Sequence, residues 1–166
     1  GSDVLVLSGG VSAGTRDLVA DSLVSEGIEI LFHKVQMKPG KPMLVGTHEQ
    51  GIVFGLPGNP ISTYVTALLF LIPALRVLAG YEEAGPFYAR AILEGDLPTT
   101  SKRATFHPGK VAVKPDGTYT CVPLRWSGSG DQIHYAAGNC LIRREAHAQA
   151  AKTGDPVRIV LPRAPY

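Results

Sequence analysis

The eight residues Gly55-Leu56-Pro57-Gly58-Asn59-Pro60-Ile61-Ser62 constrain the path of this chain more than any other stretch. Pro57 and Pro60 fix φ, Gly58 permits positive φ, and Asn59 can cap a helix with its side-chain oxygen. The apolar run Ile52 to Phe54 leads into this turn. A long apolar stretch from Pro60 to Ala79 leaves it, with Gly80 just past the end. Proline in the first helical turn and glycine after the last are natural helix boundaries, so the segment reads as strand, rigid turn, helix start. A similar junction comes earlier. Val4 to Leu7 is an apolar strand ended by Ser8-Gly9-Gly10, and a helix from a Thr15 N-cap carries Leu18, Val19, Leu23 and Val24 inward until Gly27. Ile28 to Val35 reads as another strand, and Met43 to Gly46 and Ile52 to Phe54 as two shorter ones around a Glu49-Gln50-Gly51 turn. Strands without alternation, linked by helices, predict a parallel sheet covered on both faces. This half is thin for such a fold. Its first residues read as a central strand and its last helix asks for more cover, from an upstream segment or a partner chain.

The pattern changes near Gly80 to Pro86. Phe87 to Leu93, Gly109 to Val113, Thr118 to Pro123, Cys140 to Arg143 and Val157 to Leu161 are short β runs separated by turn signals such as Pro115-Asp116-Gly117 and Gly154-Asp155-Pro156. They predict a small antiparallel barrel or sandwich, with one helical turn over Ala146 to Ala151. The expected division is residues 1–82 as an α/β unit and 83–166 as an all-β unit. With 166 residues, 45% hydrophobic, 18% charged and a net charge of +2, the chain is too apolar and too weakly charged for disorder. Its cations form no basic block, so no nucleic-acid partner is expected. Ser62, Thr63, Thr66, Pro73 and Arg76 interrupt the apolar helix, which therefore reads as a core element and not a membrane anchor. Cys121 and Cys140 are expected to be buried thiols, no signal peptide opens the chain, and the expected location is cytoplasmic. The five histidines have no metal-ligand spacing.

Three loops carry residues suited to chemistry. Ser8-Gly9-Gly10-Val11-Ser12-Ala13-Gly14-Thr15-Arg16-Asp17 joins a strand to a helix start, where open α/β sheets bind ligands and free backbone N–H groups favour anions. Asp17 either complements the helix dipole or holds Mg²⁺ beside a phosphate. Lys34-Val35-Gln36-Met37-Lys38-Pro39-Gly40-Lys41-Pro42 gathers lysines around a Pro-Gly turn, either as a solvated loop or as a holder of an oxyanion such as phosphate or molybdate. The third is the Gly55 to Ser62 turn, where Ser62 brings a hydroxyl to the helix start. Together the loops suit a phosphorylated or anionic ligand.

In this order and near this spacing, the three loops resemble the signature of the molybdopterin molybdenumtransferase family, which includes MoeA and the gephyrin E domain. The Pro57-Gly58-Asn59-Pro60 run separates that branch from MogA-like adenylyltransferases of similar fold. The β-rich half is similar to the family's C-terminal β domain, with Arg103, Phe106, Gly128-Ser129-Gly130 and Gly138-Asn139 as supporting pieces. The resemblance implies an α/β fold: a truncated MoaB/MogA-like parallel-sheet domain followed by a small barrel-like all-β domain. It implies an enzyme of molybdenum cofactor biosynthesis that uses Mg²⁺ and inserts molybdate into adenylylated molybdopterin with release of AMP; the under-covered helix after Pro60 adds the expectation of a homodimer. By position, Asp17 stands at the family's catalytic or metal-site aspartate and Lys34 and Lys38 at its anion-binding lysines. Ser8, Gly9, Gly10, Ser12, Gly14, Lys41, Pro57, Gly58, Asn59, Ser62 and Ser129 are the expected cofactor-binding positions. The chain departs from the family pattern at Thr15, where an acidic residue is usual, and at Ile133-His134, which replaces a serine pair. Two other readings stand beside the enzyme: a module that binds molybdopterin or a nucleotide without turnover, and a dimeric interaction scaffold.

Overall fold

The computed structural model describes residues 2–11, 18–49, 51–128 and 130–163. Four strands make the first sheet: β1 (Val4–Ser8), β2 (Glu29–His33), β4 (Leu44–His48) and β5 (Gly51–Leu56), in the order β1-β5-β4-β2. The expected parallel sheet is a mixed one. Only β1 and β5 run parallel, while β4 pairs antiparallel with both β5 and β2. The cause is the connection. His48 pairs with Gly51 across a turn far too short for a crossover, so β4 and β5 close as a hairpin. β1 also lies at the sheet's edge rather than its centre, with Leu5 and Val6 exposed.

Helix α1 (Leu18–Ser25) covers one face, packing Leu23 and Val19 against Val11, Leu44 and Val53. It stops as the sequence predicts. Gly27 has φ +80°, its N–H donates to the Val24 carbonyl at 3.0 Å, and the Ile28 N–H donates to the Leu23 carbonyl at 3.0 Å. That pair of bonds is a Schellman cap.

The other face is covered by one long helix in three parts: α2 (Pro60–Thr66), a π-helical turn (Ala67–Leu71) and α3 (Ile72–Leu78). The π turn has a local cause. Pro73 has no N–H and its ring would crowd the carbonyl four residues back, so the Ile72 N–H reaches Ala67 instead. Over Pro60–Leu78 the helix is long and apolar enough to cross a membrane by length and composition, and 28% of its most apolar window is buried. The burial is one-sided in sequence. Ile61, Ser62, Val65, Thr66 and Leu68 are buried, whereas α3 has no buried residue, so the core reading holds for the first half only.

The second sheet closes on itself. β6 (Phe87–Leu93), β7 (Ala104–Val113), β8 (Tyr119–Pro123), β9 (Cys140–Arg144) and β10 (Pro156–Leu161) form a five-stranded barrel, the ring being completed by a second pairing of β7 with β9. Leu93, Cys121, Cys140, Ile142 and Ile159 fill its interior. The two thiols meet there at an Sγ–Sγ distance of 3.5 Å, as buried free cysteines. Asn139 pins the start of β9 to β7, its Oδ1 accepting from the Val111 N–H at 2.7 Å and its Nδ2 donating to the Val111 carbonyl at 3.0 Å. Ala146 to Ala151 does not form the expected helical turn. Its backbone is bonded elsewhere, Ala148 N–H to the Thr100 hydroxyl and Ala151 to Leu97. A short helix the sequence reading did not assign, α4 (Gln132–Ala136), is capped by Asp131.

The two sheets are joined by β3 (Met37–Lys38), which leaves the lysine loop to pair in parallel with the start of β7, Met37 opposite Ala104 and Lys38 opposite Thr105. Around this joint, Met37, Ile61, Val65 and Leu68 pack against Phe106, Tyr135, Leu141 and Val160. The buried Tyr135 hydroxyl donates to the Phe106 carbonyl at 2.8 Å.

Candidate functional site

The glycine loop after β1 and the proline turn after β5 touch at Gly9. The Gly9 N–H donates to the Leu56 carbonyl at 3.0 Å, and a Cβ on Gly58 would lie 3.1 Å from the Gly9 Cα. Asn59 caps α2 as its residue type predicts. Its Oδ1 accepts from the Ile61 N–H at 3.1 Å and the Ser62 N–H at 3.4 Å. The Thr63 hydroxyl ties the turn from below, bonding to the Pro57 carbonyl and to the Asn59 carbonyl, the latter at 3.0 Å.

The lysine loop is clasped at its base. Lys34 N–H donates to Met43, and both Val35 and Met43 donate to the Lys41 carbonyl, at 2.9 and 3.0 Å. The Lys38–Pro39 peptide is cis. Gly40, at φ +107°, lies so close to α2 that a Cβ there would come within 2.7 Å of the Thr66 methyl. This approach packs the lysine loop against the end of α2.

Between these loops lies a cavity of about 410 Å³. Gly10, Lys38, Lys41, Pro57, Gly58, Asn59 and Ser62 line it, together with Pro39, Gly40 and Pro42. Arg103, just before β7, reaches it from the barrel side. Among the described residues its charged lining groups are Lys38, Lys41 and Arg103, all cationic. Lys38 Nζ stands 5.2 Å above the centre of the Trp126 ring, a cation–π contact that fixes the ammonium against the barrel. Ammonium and guanidinium groups beside glycine backbone suit an anion with several oxygens.

The structure thus brings together Gly10, Lys38, Lys41, Pro57, Gly58, Asn59 and Ser62 of the expected residues. It does not bring Lys34, which is exposed at φ +72° and absent from the lining, nor Ser8, which is exposed at the end of β1. Gly9 acts one step back, through its contact with Gly58. Asp17, Ser12, Gly14 and Ser129 lie outside the described residues. In the sequence Arg103 stands only as a mark of the family resemblance. Nothing near it in sequence signals that it faces a lysine loop 65 positions earlier.

The described lining offers Mg²⁺ no carboxylate, and no group of three or more His, Cys, Asp or Glu side chains placed to hold a metal occurs among the described residues. Asp131, the nearest candidate by chemistry, is committed elsewhere. It accepts from His134 Nδ1 at 2.7 Å and from Ser127, and these bonds hold its carboxyl well below the usual carboxylate range.

Comparison with known proteins agrees with this arrangement. Residues 1–77 match the family described as "Probable molybdopterin binding domain", and residues 90–161 match "MoeA C-terminal region (domain IV)". The chain is 30% identical over 159 residues to a molybdopterin molybdenumtransferase of Staphylococcus aureus, covering 96% of this chain and 38% of that protein. It is 35% identical over 145 residues to one of Nostoc sp., covering 84% of this chain and 33% of the relative. The solved molybdopterin biosynthesis MoeA protein of Pyrococcus horikoshii superposes with a TM-score of 0.75 at 28% identity, over 98% of this chain and 38% of that one. The chain therefore spans 38% or less of the length of these relatives. With both regions present in order, and with relatives and a solved fold matching across the joint between them, the chain matches the MoeA family over part of its relatives' length.

Proposed function

We propose that the chain is the part of a molybdopterin molybdenumtransferase that holds the phosphates of adenylylated molybdopterin beside molybdate while molybdenum is inserted and AMP leaves. The observation that carries this reading is the 410 Å³ cavity, where all three loops converge and Lys38, Lys41 and Arg103 supply its charge. The demanding step is cleavage of a phosphoanhydride. An oxygen nucleophile, from water or molybdate, bonds to phosphorus as the bond to the bridging oxygen breaks, and negative charge collects on the departing phosphate. Cations already in position stabilise that charge without reorganising. Arg103 can take two oxygens at once through its planar fork, while the lysines act as point charges. The Gly9–Gly58 contact lets backbone come close to the phosphates. Asn59, locked as a helix cap, shapes the wall. The described lining offers Mg²⁺ no carboxylate; Asp17 would be its holder, which Asp17→Ala tests.

The finer reading of the architecture belongs here as well. Residues 1–82 are proposed to be a MoaB/MogA-like unit and 83–166 the C-terminal β unit. The exposed Leu75, Val77, Leu78 and Tyr81 at the end of the long helix support a homodimer, which a sedimentation experiment on the chain tests directly. The buried free thiols fit a reducing, cytoplasmic setting.

The test is AMP release from adenylylated molybdopterin with Mg²⁺, with and without molybdate. Wild type is compared with Asp17→Ala, Lys41→Gln and Arg103→Gln. Molybdate-stimulated release that falls at least tenfold in the variants supports the proposal. Retained binding of the pterin nucleotide with no release supports instead a holding module.

A further inference from the structure

A second cavity, of about 260 Å³, opens at the mouth of the barrel on the other side of Lys38. Its geometry follows from strand alternation. On β9, Cys140 and Ile142 point into the barrel and Leu141 points out toward the helix, so Arg144 takes the inward side. On β7, Phe106 points out, so Thr105 and His107 point in. Thr105 is paired with Arg144 and His107 with Ile142, which sets Arg144, Thr105 and His107 side by side at one end of the barrel. Lys38, paired with Thr105 across β3, and Trp126 close the mouth.

Arg144 is an unusual residue for that place. It is only 8% exposed. One terminal nitrogen, Nη2, donates to the Gln149 carbonyl, but Nη1 is buried and makes no hydrogen bond. Among the described residues Arg144 has no ion pair, and no acidic side chain lines the cavity. A buried cationic donor left unmatched is costly, and native structures rarely leave one so. Lys38 adds a second cation to the same space, and His107, whose Nε2 donates to the Leu124 carbonyl at 2.7 Å, adds an imidazole.

We propose that the barrel mouth is a second anion site, in which Arg144 Nη1 and Lys38 Nζ hold a free tetrahedral oxyanion of the phosphate or molybdate type. The size of the cavity, its fixed floor at Leu97 and the fork geometry of the guanidinium suit a small anion with several oxygens. Lys38 borders both cavities, so an oxyanion here lies one side chain away from the cleft. The site does not depend on the function proposed above, because phosphate binding at Arg144 needs no pterin.

Trp126 is the chain's single tryptophan and a wall of this cavity, so its fluorescence reports the site without any activity. The experiment is a titration of the chain with inorganic phosphate at constant ionic strength. A saturable change in Trp126 emission is expected. Its midpoint should rise at least tenfold in Arg144→Gln, rise less in Arg144→Lys, and stay within about twofold in Arg103→Gln, which alters only the neighbouring cleft. Should Arg144→Gln not fold by circular dichroism, Arg144→Lys and Thr105→Val carry the test, both with a weakened midpoint. An unresponsive wild type, or a folded Arg144→Gln with the wild-type midpoint, overturns the proposal. So does a response lost in Arg103→Gln but kept in Arg144→Gln.

Discussion

A Cβ placed on Gly58 would stand 3.1 Å from the Cα of Gly9, so two loops separated by almost fifty residues meet this closely because Gly58 has no side chain at that point. The two glycines are needed for different reasons. Gly9 sits at φ +87°, where an L side chain strains the backbone, whereas a Cβ on it would lie an ordinary 3.8 Å from Gly58. Gly58→Ala should therefore push the loops apart, destabilising the fold by about 1–3 kcal/mol as overpacking does. It should also weaken anion binding in the cleft. Gly9→Ala should cost about 1–2 kcal/mol through backbone strain. Urea unfolding measures the two costs. Gly58→Ala losing neither stability nor anion affinity would remove the loop contact from the account.

Asn59 has two duties that a single substitution can separate. As the cap of α2 it bonds the Ile61 and Ser62 amides, and it also lines the cleft proposed to hold the anion. Asn59→Ala should cost about 1 kcal/mol of stability. Asn59→Asp keeps a capping oxygen and adds a negative charge beside Lys38, Lys41 and Arg103. It should unfold near the wild-type midpoint while binding phosphate-bearing ligand at least tenfold more weakly. Equal affinity in Asn59→Asp and wild type would place the anion elsewhere.

The turns and caps were legible because proline, glycine and asparagine act locally. Gly27 and Asn59 do in the structure what their residue types imply. The strand directions were not legible in the same way. Apolar runs without alternation fit either a parallel pair or a buried hairpin, and the short link between His48 and Gly51 decided for the hairpin. The β run visible in the sequence begins only at Gly109. In fact Pro108 lies within the strand, opposite Leu141. Lys34 and Lys38 look equivalent in sequence. They part because Lys34 turns out at φ +72° while Lys38 is drawn into a two-residue strand against β7. That pairing, like the approach of Arg103 and the inward register of Arg144, depends on contacts far apart in sequence. No local pattern encodes them.

The joint between the sheets offers a direct test through Tyr135. Its ring packs against the Trp126 ring with centroids 5.8 Å apart, and its hydroxyl supplies the Phe106 carbonyl with a buried partner. Burial pushes the phenol well above the usual tyrosine range, so it stays a donor in alkaline solution. Tyr135→Phe keeps the packing and removes only the bond, and should cost about 1–2 kcal/mol. Thermal unfolding of the two proteins gives the difference, and an unchanged midpoint would mean the hydroxyl holds nothing together.

The stability of the barrel should depend on pH through His107. Burial holds its imidazole below the ordinary value of 6.5, the nearby Arg144 charge acts in the same direction, and the hydrogen bond to the Leu124 carbonyl opposes both without prevailing. Folded His107 therefore binds a proton less readily than unfolded His107. Between the two pKa values the unfolded chain carries more protons, so stability falls as pH drops from about 6.5 toward the folded value. The full loss is about 1.4 kcal/mol for each unit of separation. His107→Gln can keep a donor for Leu124 but cannot titrate, and should flatten this part of the profile. Urea midpoints for both proteins at about pH 7.5 and about pH 5 isolate the histidine as the difference between them. If the two proteins lose the same stability on acidification, His107 is not buried in neutral form and the barrel mouth is wetter than the structure shows.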